Sequence, residues 1–281
     1  MSITFIGHVS KDINVFIKNG IKEKQVIPGG GVFFGAIASA ALGEKTTVIT
    51  KVVENEKNFF NELEKNRIRV KWIFSKANTS IQNTYPTNNP DHRISKMISK
   101  ADEFTKNDLI NIEDKIIHIS ALWHGEFPEE LIPFVREKSE ILGLDAQGFL
   151  RNIDDEGNMN YSDWNMKKLY LPLVDVFKVD IKEAYILTQE EDPIKALKVI
   201  NEYGPKEVLL THNKGILLKV GDKIYESFFE EYKIEGRTGR GDTCVAAYLI
   251  ARSKMNYQKA LDFAAKITTE KMQYKGPYKR I

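Results

Sequence analysis

The residues most able to do chemistry lie in one run, Gly236-Arg237-Thr238-Gly239-Arg240-Gly241-Asp242-Thr243-Cys244, followed by a small and apolar stretch from Val245 to Ala251. Glycines at 239 and 241 permit a sharp backbone turn. The stretch after them reads as a buried helix whose first N–H groups have no carbonyl a turn earlier to pair with, so they point back into that turn. Such a nest of donors holds a phosphate. A carboxylate at the same mouth makes electrostatic sense as the proton acceptor for a hydroxyl that attacks the phosphorus. Aspartate before a helix is also a common N-cap, and spacing by itself does not separate the two roles for Asp242. The embedded Arg240-Gly241-Asp242 is read as helix-initiating rather than adhesive.

Thr238-Gly239-Arg240-Gly241-Asp242 resembles the Thr-Gly-Ala-Gly-Asp motif of the ribokinase family, also called PfkB carbohydrate kinases, with Arg240 in the alanine position. The resemblance implies Asp242 as catalytic base and Gly239, Arg240, Gly241 and Asp242 as the anion hole, with the backbone N–H groups of Arg240, Gly241 and Asp242 expected around the γ-phosphate. Further segments follow in the family's order. Gly7-His8-Val9-Ser10-Lys11-Asp12 follows the first strand, where the family places an aspartate that binds substrate hydroxyls, and Asp12 fits that role. Pro28-Gly29-Gly30-Gly31 matches the di-glycine at the lid hinge and substrate floor, implying contacts from Gly30 and Gly31, although the family's asparagine a few residues on is Phe34 here. Lys178-Val179-Asp180-Ile181-Lys182-Glu183 resembles the Asn-x-x-Glu motif that organises magnesium and phosphates. Asp180 replaces the asparagine, and both are hard oxygen ligands, so Asp180 and Glu183 are implied around Mg2+.

Thr211-His212-Asn213-Lys214-Gly215 resembles the family's turn against nucleotide, with Asn213 where the first glycine stands. Asparagine tolerates the left-handed region, so a left-handed turn is expected at Asn213. The resemblance thus implies ATP bound through Thr211, Asn213, Gly215, Thr238, Gly239 and Gly241, with Ala260 to Thr269 and Gly276-Pro277 around adenine. Many family members bind potassium beside an aspartate-containing turn just before the anion hole. Gly236-Arg237 occupies that place, so a potassium requirement is not implied.

Positioning these residues requires alternating strands and helices. Ile3 to Gly7 reads as a buried strand breaking at glycine, Val32 to Leu42 as a packed helix with Gly43 at its C-terminal cap, and Thr46 to Val52 as a returning strand. The order repeats with a helix at Phe59 to Asn66, a strand at Ile116 to Ser120, a helix at Glu129 to Lys138 and a strand at Ile141 to Asp145. It continues with a strand at Val176 to Val179, a helix at Asp192 to Tyr203 and a strand at Val208 to Thr211. This alternation predicts an α/β fold of ribokinase type, a mostly parallel central sheet covered by helices on both faces. Two polar stretches, about 13–27 and 73–100, break the pattern. They are expected to form a small β lid on a single domain of residues 1–281, with a turn at Asn19-Gly20 and a loop or lid tip at Asn83 to Arg93.

Composition bounds the function. With 42% hydrophobic and 28% charged residues the chain can bury a large core and is not a disordered one. Lys and Arg number 41 against 39 Asp and Glu, a net +2 with signs interleaved, which offers no basic field for nucleic acid or membrane. A lone Cys244 excludes an internal disulfide framework, and no apolar run is long enough to span a bilayer, so a cytoplasmic protein is expected.

The expected activity is ATP- and Mg2+-dependent phosphorylation of a hydroxyl on a small polyol, a sugar, inositol or sugar acid. Arg151, in Leu144-Asp145-Ala146-Gln147-Gly148-Phe149-Leu150-Arg151, stands near the site mouth as a further substrate contact. Together with Phe34 and the arginine-bearing motif, it points toward the branch near inositol kinases. A nucleoside or pyrimidine kinase of the same fold and a non-catalytic sugar or nucleotide sensor remain open. A homodimer paired through the lid is implied by resemblance only.

Overall fold

Nine strands, the central ones buried along most of their length, form one sheet in the computed structural model, which describes residues 2–18, 21–87, 93–112, 114–230 and 233–280. In spatial order they are Lys223–Phe228, Gly215–Val220, Glu207–Thr211, Val176–Asp180, Ser139–Asp145, Asp114–Ile119, Ser2–Ile6, Lys45–Val52 and Arg69–Phe74. From Glu207–Thr211 to Arg69–Phe74 every pairing is parallel; the last two strands at the other edge are antiparallel. Successive side chains of a strand point to opposite faces, so each strand feeds two cores. Ile3, Phe5, Leu209 and Leu218 enter one, while Ile6, Val208, Leu210 and Leu217 enter the other.

Helices Gly31–Ala41, Arg240–Arg252 and Tyr257–Met272 cover the first face, and Ile132–Arg136, Ile181–Thr188 and Pro193–Glu202 cover the second. The first two are apolar around most of their circumference. Val32 to Ser39 and Thr243 to Ala251 are all buried, as expected of helices sandwiched between a sheet and other helices. Their small residues let them pack closely against each other. A second sheet of four strands runs in the order Ile21–Gly29, Ser10–Lys18, Thr79–Tyr85, Ile94–Ser99. Its middle pair is parallel and its outer pairs are antiparallel.

The structure differs from the sequence expectation in several places. The helix expected at 59–66 is a 3-10 turn, Glu54–Phe60, then one α turn, Glu62–Lys65, and that expected at 129–138 is split similarly, with Pro133 at the start of its α segment. Arg69–Phe74 is an edge strand of the large sheet; its Val70-Lys71-Trp72 alternation is too short to mark a strand because Ile73 and Phe74 break it. The hairpin of Gly215–Val220 and Lys223–Phe228, turning at Gly221 with φ 50°, is also new. The expected turn at Asn19-Gly20 lies outside the described residues, as does 88–92 of the expected loop, whereas Asn83 to Tyr85 of that loop belong to a strand. Among the described residues no helix is long and apolar enough to cross a membrane.

Candidate active site

Parallel α/β sheets gather ligands at the carboxyl ends of their strands, and here those ends open onto a cleft of about 290 Å³. Ser10 and Asp12 follow the strand Ser2–Ile6, Leu122 follows Asp114–Ile119, and Gln147 follows Ser139–Asp145. Lys178 and Asp180 lie at the end of Val176–Asp180, and Thr211 ends Glu207–Thr211. The starts of two helices complete the cleft, through Gly30, Gly31 and Phe34 on one side and Arg237 to Asp242 on the other. The small sheet adds Ile81, Asn83 and Ser95.

Gly239 caps the Arg240–Arg252 helix from the left-handed region, with φ 79°. Asp242 is therefore the third residue of the helix and not its N-cap, and its carboxylate faces the cleft. A methyl added at Gly31 would sit 2.8 Å from Asp242 Oδ1 and overlap Ser120 Oγ, so only glycine lets the first helix start this close. A methyl at Gly239 would overlap the Phe34 ring, which explains the aromatic in place of asparagine as packing under the turn. Removal from bulk water raises the Asp242 pKa, as does the nearby Asp145 carboxylate, while Lys178 and His118 oppose the rise.

Lys178 lies under this helix start. A methyl at Gly241 would meet its Nζ at 3.2 Å. Its ammonium lies 4.0 Å from Asp145 Oδ1 and 3.8 Å from Glu183 Oε2. Burial disfavours the ammonium, but Glu183 and Asp145, then Asp180 and Asp242, overcome that and hold it protonated. Asp145 accepts hydrogen bonds from Ser120 Oγ at 2.7 Å and from His118 Nε2 at 3.2 Å. Burial would raise Asp145, yet His118 and Lys178 keep it well below the usual carboxylate range. The site thus holds one carboxylate kept charged and another made more basic, the arrangement that separates structural from proton-accepting roles.

Asp180 and Glu183 form a capping box at the start of the Ile181–Thr188 helix. Asp180 Oδ1 accepts from Glu183 N at 2.8 Å, and Glu183 Oε2 accepts from Asp180 N at 2.7 Å. Burial, then the Asp180 charge, push Glu183 up to about 7. Each carboxylate keeps a second oxygen, and both residues line the cleft. Among the described residues no group of three or more His, Cys, Asp and Glu side chains is placed to hold a metal. Two carboxylates beside a phosphate nest fit magnesium, which takes one or two protein carboxylates and fills its octahedron with phosphate oxygens and water.

Asp12 is buried, accepts from Ser10 Oγ at 2.6 Å, and lies so close to Gly29 that a side chain there would overlap its carboxylate. Burial, countered by Ser10 and Arg93, raises it to about 6. Gly30, with φ 99°, lets the hinge approach His8 O, which a methyl would meet at 2.5 Å. Arg151 reaches the cleft held by Leu122 O, Gln147 Oε1 and the Tyr161 hydroxyl, at 3.2, 3.2 and 3.3 Å. Ser95 Oγ donates to Asn83 Oδ1 at 2.8 Å.

Of the residues expected around nucleotide, Thr211, Thr238, Gly239 and Gly241 line the cleft, whereas Asn213 and Gly215 do not. Asn213 is exposed and is not left-handed, contrary to expectation. His212 N–H closes the turn on Gly215 O at 3.0 Å, and Gly215 begins a strand pressed against Ser227, so the turn needs no left-handed residue. Ala260, Ala264 and Ala265 pack into the core, and neither they nor Gly276 and Pro277 line the cleft. The sequence reading assigned no role to Lys178, Asp145, Ser120 or Arg237. Lys178 was findable, because two residues before Asp180 on one strand is the same face.

A model of the pfkB family carbohydrate kinases matches residues 3–280. The chain belongs to that family. This pfkB-family kinase is a phosphotransferase with an alcohol group of a sugar or polyol as acceptor. A pyrophosphate-dependent kinase of the ribokinase family, solved with a pyrophosphate analog and myo-inositol, is 46% identical, with 99% of this chain and 97% of that chain covered and a TM-score of 0.91. A pyrophosphate-dependent myo-inositol-1 kinase, converted into a myo-inositol-3 kinase by replacing one asparagine and one serine with leucine, is 44% identical over 99% and 95% of the chains, with a TM-score of 0.89. Ribokinase from Arabidopsis thaliana with ribose and ATP shares the fold at 19% identity, over 98% and 93% of the chains with a TM-score of 0.79. No curated protein sequence matches the chain.

Proposed function

We propose that this kinase transfers a phosphoryl group from pyrophosphate to one hydroxyl of myo-inositol or a closely similar cyclic polyol. One observation carries the choice of donor: the wall from Thr211 through Arg237, Thr238 and Arg240 to Lys178, Asp180 and Glu183 is polar or charged throughout. The apolar lining residues lie elsewhere, Ile81, Leu122 and Met159 toward the small sheet and Phe34 against Gly239. Three cations, Arg237, Arg240 and Lys178, with two carboxylates able to hold magnesium suit a polyphosphate, while adenine needs a flat apolar slot. The 46% identical pyrophosphate-dependent relative supports the same reading.

In the proposed step the acceptor oxygen attacks the terminal phosphorus, a new P–O bond forms, the bridging P–O bond breaks, and inorganic phosphate leaves. Asp242 takes the acceptor proton. Arg240 N–H is engaged by Arg237 O at 3.1 Å, so the N–H groups of Gly241 and Asp242 are the ones offered to the transferring group, with Gly239 setting the turn. Arg237, Arg240 and the buried Lys178 ammonium face the charge that develops on its oxygens. Asp180 and Glu183 would hold magnesium, which supplies charge neutralisation on the donor phosphates. Asp12, Arg151 and the backbone at Gly30 and Gly31 bind acceptor hydroxyls, and the small sheet closes over the acceptor as a lid carrying Asn83 and Ser95.

The test is a phosphate-release and product assay with Mg2+, pairing pyrophosphate or ATP with myo-inositol, other cyclic polyols, pentoses, hexoses and nucleosides. An inositol monophosphate formed from pyrophosphate is the expected result. Turnover with ATP and none with pyrophosphate would overturn the donor assignment.

A further inference from the structure

One buried cation takes no part in the scheme above. Lys271, in the last turn of Tyr257–Met272, is fully buried, and its Nζ donates to Gly236 O at 3.0 Å. A solvated lysine near a helix end commonly answers the terminal carbonyls; this one instead turns inward onto a carbonyl of the strap that leads into the anion hole. The same helix end grips that strap twice more, since Glu235 and Gly236 N–H groups donate to Met272 O at 2.9 and 3.2 Å. A methyl at Gly236 would meet Tyr274 O at 2.5 Å, so strap and helix end are in backbone contact. Three residues beyond Gly236 the chain enters the left-handed Gly239 and the helix that carries Asp242. Burial lowers the Lys271 pKa to about 8, the Asp242 charge favours its ammonium, and Arg240 opposes it. Burying a lysine costs free energy unless its charge is answered, and the charges facing it belong to the anion-hole helix.

We propose that Lys271 is a positioning residue for phosphoryl transfer, an internal cation that pins the strap at Gly236 and so fixes the anion hole and Asp242. Misplacing a reacting group by about 1 Å can cost about 100-fold in rate, so loosening the strap should act on kcat more than on acceptor binding. The proposal rests on the kinase activity and not on the choice of donor, and its test uses whichever donor and acceptor the wild-type protein turns over.

Lys271→Ala and Lys271→Met are each expected to lower kcat by about 10- to 100-fold with acceptor KM changed less than about threefold. Ammonium or methylammonium ions should restore activity at least about fivefold in Lys271→Ala, whose cavity admits them, and not in the filled Lys271→Met or in the wild type. Gly236→Ala, which displaces the strap with the lysine intact, should lose kcat likewise without amine rescue. Lys271→Met is expected to stay folded, because an apolar residue of similar volume often replaces a buried charge without loss of stability. Wild-type kcat in both lysine variants would overturn the proposal. So would a loss in Lys271→Ala that neither amine relieves while thermal unfolding matches the wild type.

Discussion

Replacing Asp242 by asparagine keeps the side chain's shape at the cleft floor and removes the proton acceptor. Because a positioned general base contributes about 10²- to 10⁴-fold, the barrier should rise by about 2.7 to 5.5 kcal/mol, read as a fall in kcat of that size with acceptor KM nearly unchanged. The surroundings argue that the fold survives. Lys178 keeps Asp145 at 4.0 Å and Glu183 at 3.8 Å as counter-charges, and Lys271, which loses the favourable Asp242 charge, keeps the Gly236 carbonyl at 3.0 Å. The ionised Asp242 is moreover a strained group, raised by removal from water and by Asp145. A carboxylate with a raised folded pKa contributes stability only below its unfolded value of 3.8 and loses it as pH rises through the folded value. At pH 8 the amide should therefore match or exceed the wild-type Tm. Steady-state kinetics and thermal unfolding on one preparation separate the effects. Undiminished kcat would refute the assignment of the base, and lost activity with Tm lowered by many degrees would refute the electrostatic reasoning.

Four further outcomes follow from the geometry. Gly239→Ala should destabilise by about 1 to 3 kcal/mol, from a left-handed φ of 79° and overlap with Phe34; Phe34→Ala in the same chain should recover only the overlap with the ring, because the Phe34 Cβ at 2.9 Å remains, a non-additivity visible in denaturant titration. With Asp12 held at about 6 by burial, kcat/KM for the acceptor should fall as pH drops below 6, where its carboxylate protonates, and Asp12→Asn should take one ionisation out of that limb, leaving the fall that Asp242 and Glu183 set. Since that raised carboxylate costs stability above pH 6, a shift from 3.8 to about 6 being worth roughly 3 kcal/mol at most, Asp12→Asn should also raise Tm at pH 8. Leucine at both Asn83 and Ser95, which hydrogen-bond to each other over the cleft, removes two polar groups from its lining and should raise the acceptor KM; an unchanged KM would remove these two side chains from acceptor binding.

Local chemistry was readable without the fold. Glycines at 239 and 241 before Val245 to Ala251 announce a helix start that can hold an anion, and the alternation of apolar runs announces a parallel sheet, because both depend on residues adjacent in sequence. Edge strand Arg69–Phe74 escaped, since its alternation is broken after three residues by Ile73 and Phe74, and the left-handed turn expected at Asn213 did not form because His212 closes on Gly215 across a hairpin that only strand pairing creates. The convergence of Gly31, Ser120, Asp145, Lys178 and Asp242 was invisible for the same reason: five residues from five segments meet only when the strand ends align. The sequence by itself determined which groups could accept a proton, bind a phosphate or start a helix. Tertiary structure decided which carboxylate is held charged and which is raised, because those states depend on burial and on neighbours that are distant along the chain.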